Sequence, residues 1–190
     1  RASTERPTTS SQNPSSRFAQ RRLSRAAVTP GDAMKALGID PGLSGALAIV
    51  EFIGGIPVLV DAIDMPSTGT GAKARVDIIA AAEWIAKHAP STAYIERAQA
   101  FPRQGASSGF SYGRSVGAIE AVVALCQIPM TLVDASAWKQ RLHLPGKDKE
   151  AARQRALQLF PSQHALLALK KWHGRAEAAL LVIASLERAQ

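Results

Sequence analysis

The feature that most constrains this chain is a series of three short apolar runs separated only by turn residues, followed by further runs that alternate with helical segments. Met34–Ile39 is apolar and stops at Asp40-Pro41-Gly42. Ser44–Phe52 (SGALAIVEF) and Ile56–Ile63 (IPVLVDAI) follow, with Gly54-Gly55 between them. Connections this short join antiparallel neighbours. Thr68–Lys73 (TGTGAK) reads as a flexible loop, after which Ala74–His88 carries Val76, Ile79, Ala80 and Trp84 at helical spacing. Thr92–Glu96 reads as a fourth strand, and a Gly/Pro/Ser loop (97–108) leads to a helix ending at Gln127. Met130–Asp134 reads as a fifth strand, and helices over Ala135–Leu142, Asp148–Phe160 and Gly174–Arg188 complete the order. There are no internal repeats.

Strands joined through helices run parallel, by right-handed crossovers. The expected fold is therefore α/β: a mixed five-stranded sheet, three antiparallel strands passing into a parallel half, with helices on both faces. That is the ribonuclease H-like architecture. A chain of 190 residues, 46% hydrophobic, has material for one real core. No charge-free stretch reaches the roughly 18 residues of a membrane helix, so no membrane span is expected. The single cysteine, Cys126, excludes a disulfide framework and a cysteine zinc site and fits a reducing compartment.

Charge is unevenly spread. Residues 1–33 hold six Arg and two acids, whereas 34–190 hold 17 basic and 13 acidic residues, so each part is +4. The first part is rich in Ser, Thr, Gln and Pro and lacks apolar periodicity; it is expected to be a disordered basic leader, with 34–190 as the folded domain. Arg- and Ser-rich, acid-poor leaders are typical of organelle targeting, and a nonspecific basic tail is the alternative. No apolar core of a secretory signal is present, and the first residue, Arg1, leads us to expect a longer precursor. The formal net charge of +8 suits a polyanionic partner such as nucleic acid or an anionic surface.

Two carboxylates end apolar runs. Asp40 closes the first and Glu96 the fourth. In the expected topology these strands are adjacent and parallel, so both acids reach the sheet edge where open α/β sheets bind ligands. Like charges held close raise each other's pKa unless a cation intervenes, and hard divalent ions take oxygen ligands. The plainer readings are a turn residue for Asp40 and an Arg97 salt bridge for Glu96. His173 and Glu177 share one face of the last helix at i,i+4 spacing. Glu177 lies in AEAALLVIA, where a carboxylate needs a partner; the alternative is a helix-start acid favoured by the dipole, with His173 near the cap. Lys147, Lys149 and Arg153 cluster at one helix start, Lys139 and Arg141 lie upstream, and Lys170 and Lys171 precede the last helix. Such residues contact phosphates and give salt-dependent affinity, though a solvated basic face looks the same.

Gly38–Gly45 (GIDPGLSG), Ile95–Gly113 (IERAQAFPRQGASSGFSYG), Val133–Lys139 (VDASAWK), Lys147–Pro161 (KDKEAARQRALQLFP) and His173–Leu180 (HGRAEAAL) resemble, in order, segments of the RuvC-type Holliday junction resolvases. The resemblance is closest to the phage and organellar branch and, with the basic leader, to its chloroplast members in plants and algae; mitochondria are the second choice. It implies a metal site of Asp40, Glu96, His173 and Glu177, with His173 where relatives carry Asp or His. Imidazole suits Mn²⁺ better than Mg²⁺, or it instead orients or deprotonates the attacking water. Lys149 resembles the family's basic residue beside the scissile phosphate, where it offsets transition-state charge; its alternative is a solvated helix-end lysine. The loop carrying Phe101, Arg103 and Gln104 suits insertion into the junction centre, with an ordinary packed loop as the alternative.

The resulting expectation is a metal-dependent endonuclease that resolves four-way DNA junctions by paired symmetric nicks. Two divalent ions, Mg²⁺ or substituting Mn²⁺, clamp the scissile phosphate and leave 5′-phosphate and 3′-hydroxyl ends. Two-fold junction symmetry calls for a homodimer, with helix Gly109–Gln127 as its face. Two other classes remain. An actin-like nucleotide hydrolase needs a second, duplicated domain. A noncatalytic nucleoid protein, or another ribonuclease H-like nuclease, would share the charge, but a mere DNA binder has no use for carboxylates at two strand ends plus Glu177.

Overall fold

A computed structural model describes residues 34–99, 105–144, 146 and 148–186. Strands β1 (Met34–Asp40), β2 (Ala46–Ile53) and β3 (Ile56–Asp64) form an antiparallel meander. Gly54 and Gly55, at φ +59° and +83°, make the two-residue turn between β2 and β3, a conformation that side chains with a Cβ resist. The pairing of β2 with β3 slips by one residue between Ile49 and Val50. Strands β4 (Ser67–Thr68) and β5 (Arg75–Val76) pair in a small ladder of their own. Helix α1 (Ile78–His88), β6 (Thr92–Glu96), α2 (Ala106–Leu125), β7 (Met130–Val133), α3 (Ala135–Arg141), α4 (Lys149–Leu159), the single turn α5 (His164–Leu167) and α6 (His173–Leu186) follow. The main sheet runs β3-β2-β1-β6-β7, with β1–β6 and β6–β7 parallel. This is the expected mixed sheet.

Central β1 separates two cores. Leu37 and Ile39 face a layer holding Ala81 and Ile85 of α1 and Ile119, Val122 and Val123 of α2. Ala36, with Ala46 and Ala48 of β2, faces α6, α3 and α4. Small residues on that side let α6 sit close: a Cβ at Gly38 would collide with the carbonyl oxygen of Ala178. Helix α6 is buried almost throughout from Gly174 to Ala184, so it reads as an apolar helix rather than an amphipathic one. Its close seating carries Glu177 to the carboxyl ends of β1 and β6.

Two expectations about the 68–88 segment are corrected. Thr68–Lys73 is not merely a flexible loop, because Thr68 pairs with Arg75 and Gly71–Lys73 forms a 3-10 turn. The helix starts at Ile78 rather than Ala74: Asp77 caps it, its carboxylate accepting from the Ile79 and Ala80 amides at 3.2 and 3.1 Å. The buried face is therefore Ala81 and Ile85, and Ile79 is 68% exposed. Among the described residues no helix is long and apolar enough to cross a membrane.

Candidate active site

Asp40 ends β1 and Glu96 ends β6, on neighbouring parallel strands. Glu177 is one turn into α6 and only 7% exposed. The three carboxylates form one electrostatic cluster. Burial pushes Asp40 well above the ordinary aspartate range, the charges of Glu177 and Glu96 push it further, and Lys149 and Lys139 oppose them. Burial also raises Glu96, against a hydrogen bond from Trp138. That bond, from Trp138 Nε1 to Glu96 Oε2, is 2.8 Å, and Trp138 is fully buried on α3. Arg97 pairs with Asp134 at 2.9 Å, not with Glu96, so the plainer reading of Glu96 does not describe it.

Two lysines enter the cluster. Lys139, expected only to contact phosphates, reaches back from α3 and donates to Glu177 Oε1 at 2.9 Å. Lys149, the first residue of α4, places Nζ 3.0 Å from Nε2 of His173, the first residue of α6. His173 and Glu177 thus share a helix face, each held by a different lysine.

Sequence reading missed two members of the site. Trp138 stands beside Lys139 in the VDASAWK segment and orients Glu96. Tyr112 of α2 lays its ring 3.1 Å from where a Cβ on Gly42 would stand. Burial, then the charges of Asp40 and Glu96, push its phenol up to about 12, so it stays protonated. The aromatic in Phe110-Ser111-Tyr112 was the available signal; its fold to the strand-end turn was not.

Arg153 is a correction. It was expected to meet DNA, but its side chain is 8% exposed and committed elsewhere. It grips Glu150 through Nε and Nη2 at 3.0 and 2.6 Å. Its Nη1 donates to the Leu167 and Ala168 carbonyls at 3.1 and 2.8 Å, tying α4 to α5. Hydrogen bonds from Arg153 and Gln154 lower Glu150 to about 2. Lys170 and Lys171 are exposed in the 3-10 turn before α6. Arg141 instead donates to the Ala184 carbonyl at 3.0 Å. Phe101, Arg103, Gln104, Lys147 and the leader at 1–33 lie outside the described residues.

Among the described residues no three His, Cys, Asp or Glu side chains stand arranged to hold a metal ion. Glu177, Glu96 and His173 are already engaged by Lys139, Trp138 and Lys149. In donor type the set does fit a hard divalent cation: three carboxylates share one field, and Asp40 has only burial and charge acting on it.

No family model matches the chain, and no curated protein matches it. Solved structures do. RuvC of Thermus thermophilus in complex with a Holliday junction substrate is 18% identical, spans 82% of this chain and 96% of its own, and superposes with a TM-score of 0.54. A second Thermus thermophilus RuvC structure, also 18% identical over 82% of this chain and 97% of its own, gives 0.56. A likeness at this identity establishes the fold, and the fold is ribonuclease H-like.

Proposed function

We propose that this protein is a metal-dependent endonuclease of the RuvC type that resolves four-way DNA junctions by paired symmetric nicks. The observation that carries the reading is the meeting of Asp40, Glu96 and Glu177 at one sheet edge, two on rigid strand ends and one on a buried helix. Buried like charges persist where a function uses them. The described fold is also that of a protein solved with a Holliday junction.

Asp40, Glu96 and Glu177, with His173, would hold two divalent ions, Mg²⁺ or Mn²⁺. The chemistry such ions supply is activation of a water for in-line attack and stabilisation of the leaving 3′ oxygen, giving 5′-phosphate and 3′-hydroxyl ends. Trp138 holds Glu96 in place. Lys149 stands exposed at the rim, suited to the charge that grows on the phosphate. Tyr112, a neutral phenol beside Gly42, closes the site from α2. Lys170 and Lys171 would take flanking phosphates.

A junction with two-fold symmetry is cut symmetrically by a two-fold dimer. Helix α2 supports this: Phe110, Gly113, Gly117, Ala121 and Leu125 recur at three- and four-residue spacing and are all exposed, with nothing within 4 Å of either glycine's Cβ position. The basic, acid-poor leader supports an organelle address, the chloroplast first and the mitochondrion second. Within that type, the motif segments and the basic leader are similar to those of the chloroplast resolvases of plants and algae, which supports the same reading.

The test is incubation with a synthetic four-way junction and with a linear duplex of the same sequence, in Mg²⁺ and in EDTA. Cleavage confined to the junction and to Mg²⁺ is expected. Equal cutting of both substrates would leave only a general nuclease, and no cutting in any divalent ion would refute the reading.

A further inference from the structure

Lys139 is mounted to meet the carboxylates. Its neighbour Trp138 is fully buried, and that ring's centroid lies 5.0 Å from Lys139 Nζ. The same ammonium sits 2.9 Å from Glu177 Oε1, with the two side chains 21% and 9% exposed. Its charge also acts on Asp40 and Glu96. One cation thus serves three carboxylates. A hard divalent ion seeks the same oxygens, and two cations repel at such range, most strongly where solvent is scarce. An ammonium on Glu177 Oε1 and an ion at the same carboxylate therefore compete for its charge. Lys149 and His173 show a parallel arrangement at the rim, with 3.0 Å between Nζ and Nε2.

We infer that Lys139 is the built-in counter-cation of the ion-free site, holding Glu177 until a divalent ion displaces its ammonium. The inference rests on the metal-dependent reading above and adds a competition within the chain. Ion uptake and lysine release are then one equilibrium, and the coupling is reciprocal. A phosphodiester that draws the ammonium off Glu177 raises the site's affinity for the ion, so the ion is held tightly only once nucleic acid is present. The device keeps buried Glu177 paired at every stage, since an unpaired buried carboxylate is the costliest state open to it.

The test uses the full chain without DNA. Mn²⁺ binding is followed by the electron paramagnetic resonance of the free ion in wild type, Lys139→Met and Lys139→Arg. Lys139→Met keeps the stem against Trp138 and removes the charge. It should tighten Mn²⁺ by roughly ten- to a hundredfold, the worth of one charge-assisted hydrogen bond no longer broken. Lys139→Arg keeps a cation at Glu177 and should stay close to wild type. Should Lys139→Met fail to fold, labelling of wild type with acetic anhydride, read by mass spectrometry, decides. Mg²⁺ should then raise acetylation of Lys139 relative to the exposed Lys170 and Lys171. Unchanged or weaker Mn²⁺ binding in folded Lys139→Met, or Lys139 labelling indifferent to Mg²⁺ under conditions where wild type binds Mn²⁺, would overturn the inference alone. Absence of Mn²⁺ binding in every protein would overturn the metal reading and the inference with it.

Discussion

Asp40 is raised by burial first and by Glu177 and Glu96 next, so the folded protein holds its proton more tightly than the unfolded chain does. The linkage sign follows. Stability from this group is full below the ordinary aspartate range and falls as pH rises through the raised value, because the charged form is disfavoured in the fold. In EDTA, Asp40→Asn should therefore raise Tm over wild type near pH 7 and lose that advantage near pH 4. Every tenfold gain in proton affinity on folding corresponds to about 1.4 kcal/mol, and 1 kcal/mol moves Tm by roughly 2–4 °C in a chain of this size. Thermal melts at both pH values check this; equal melting at pH 7 would deny the crowding of carboxylates. Lys149 and His173 touch, so they should act as a unit. Lys149→Ala should slow single-turnover cleavage roughly ten- to a thousandfold, and Lys149→Ala/His173→Ala should be little slower than the worse single variant. Multiplying losses would separate their roles. At this scale residue types were legible and partners were not. Asp40, Glu96 and Glu177 announced themselves by acidic character at the ends of, or within, apolar runs. Lys139 lies 38 positions from Glu177, so nothing local distinguished an inward lysine from one facing phosphate. Arg153 carried a readable clue, Glu150 three residues earlier, but its bonds to Leu167 and Ala168 depend on how the chain returns.

Helix α6 and strand β1 set the depth of the site. Their separation depends on the missing side chain of Gly38, against which the Ala178 carbonyl packs. Gly38→Ala should lower stability by about 1–3 kcal/mol, the range for overpacking a filled interior. By lifting Glu177 from the strand ends, it should reduce cleavage even at temperatures where the variant is fully folded. Chemical denaturation together with single-turnover rates checks both parts, and an unaltered rate in a destabilised variant would show that helix depth is not critical. The order of elements was legible because connection length and hydrophobic period are local properties: a two-glycine turn demands a hairpin, and an apolar run before a helical segment suggests a crossover. The start of α1 was misread because Val76 fits a helical stripe as well as a strand. The Asp77 cap, immediately before the exposed Ile78 and Ile79, was the stronger signal.

For the whole molecule, the proposed symmetric cutter combines one carboxylate cluster, the exposed Lys149, Lys170 and Lys171, and an exposed stripe on α2. Gly117 lies mid-stripe with open space around it. Gly117→Arg should leave the fold intact and convert a dimer to a monomer by light scattering. Paired nicks on one junction should give way to single, uncoupled nicks; a monomeric wild type would remove the symmetric scheme. Binding to the junction should weaken steeply with salt, as phosphate contacts release counterions. The central claim is that Asp40, Glu96 and Glu177 make a metal-dependent centre for cutting junctions, and one measurement addresses it most directly. A four-way junction labelled on opposite strands is incubated with wild type and with Asp40→Asn at saturating protein, in Mg²⁺, and resolved under denaturing conditions. Wild type should give symmetric nicks in both strands and Asp40→Asn none, with the junction still bound by both. Cleavage by Asp40→Asn at the wild-type rate would contradict the claim.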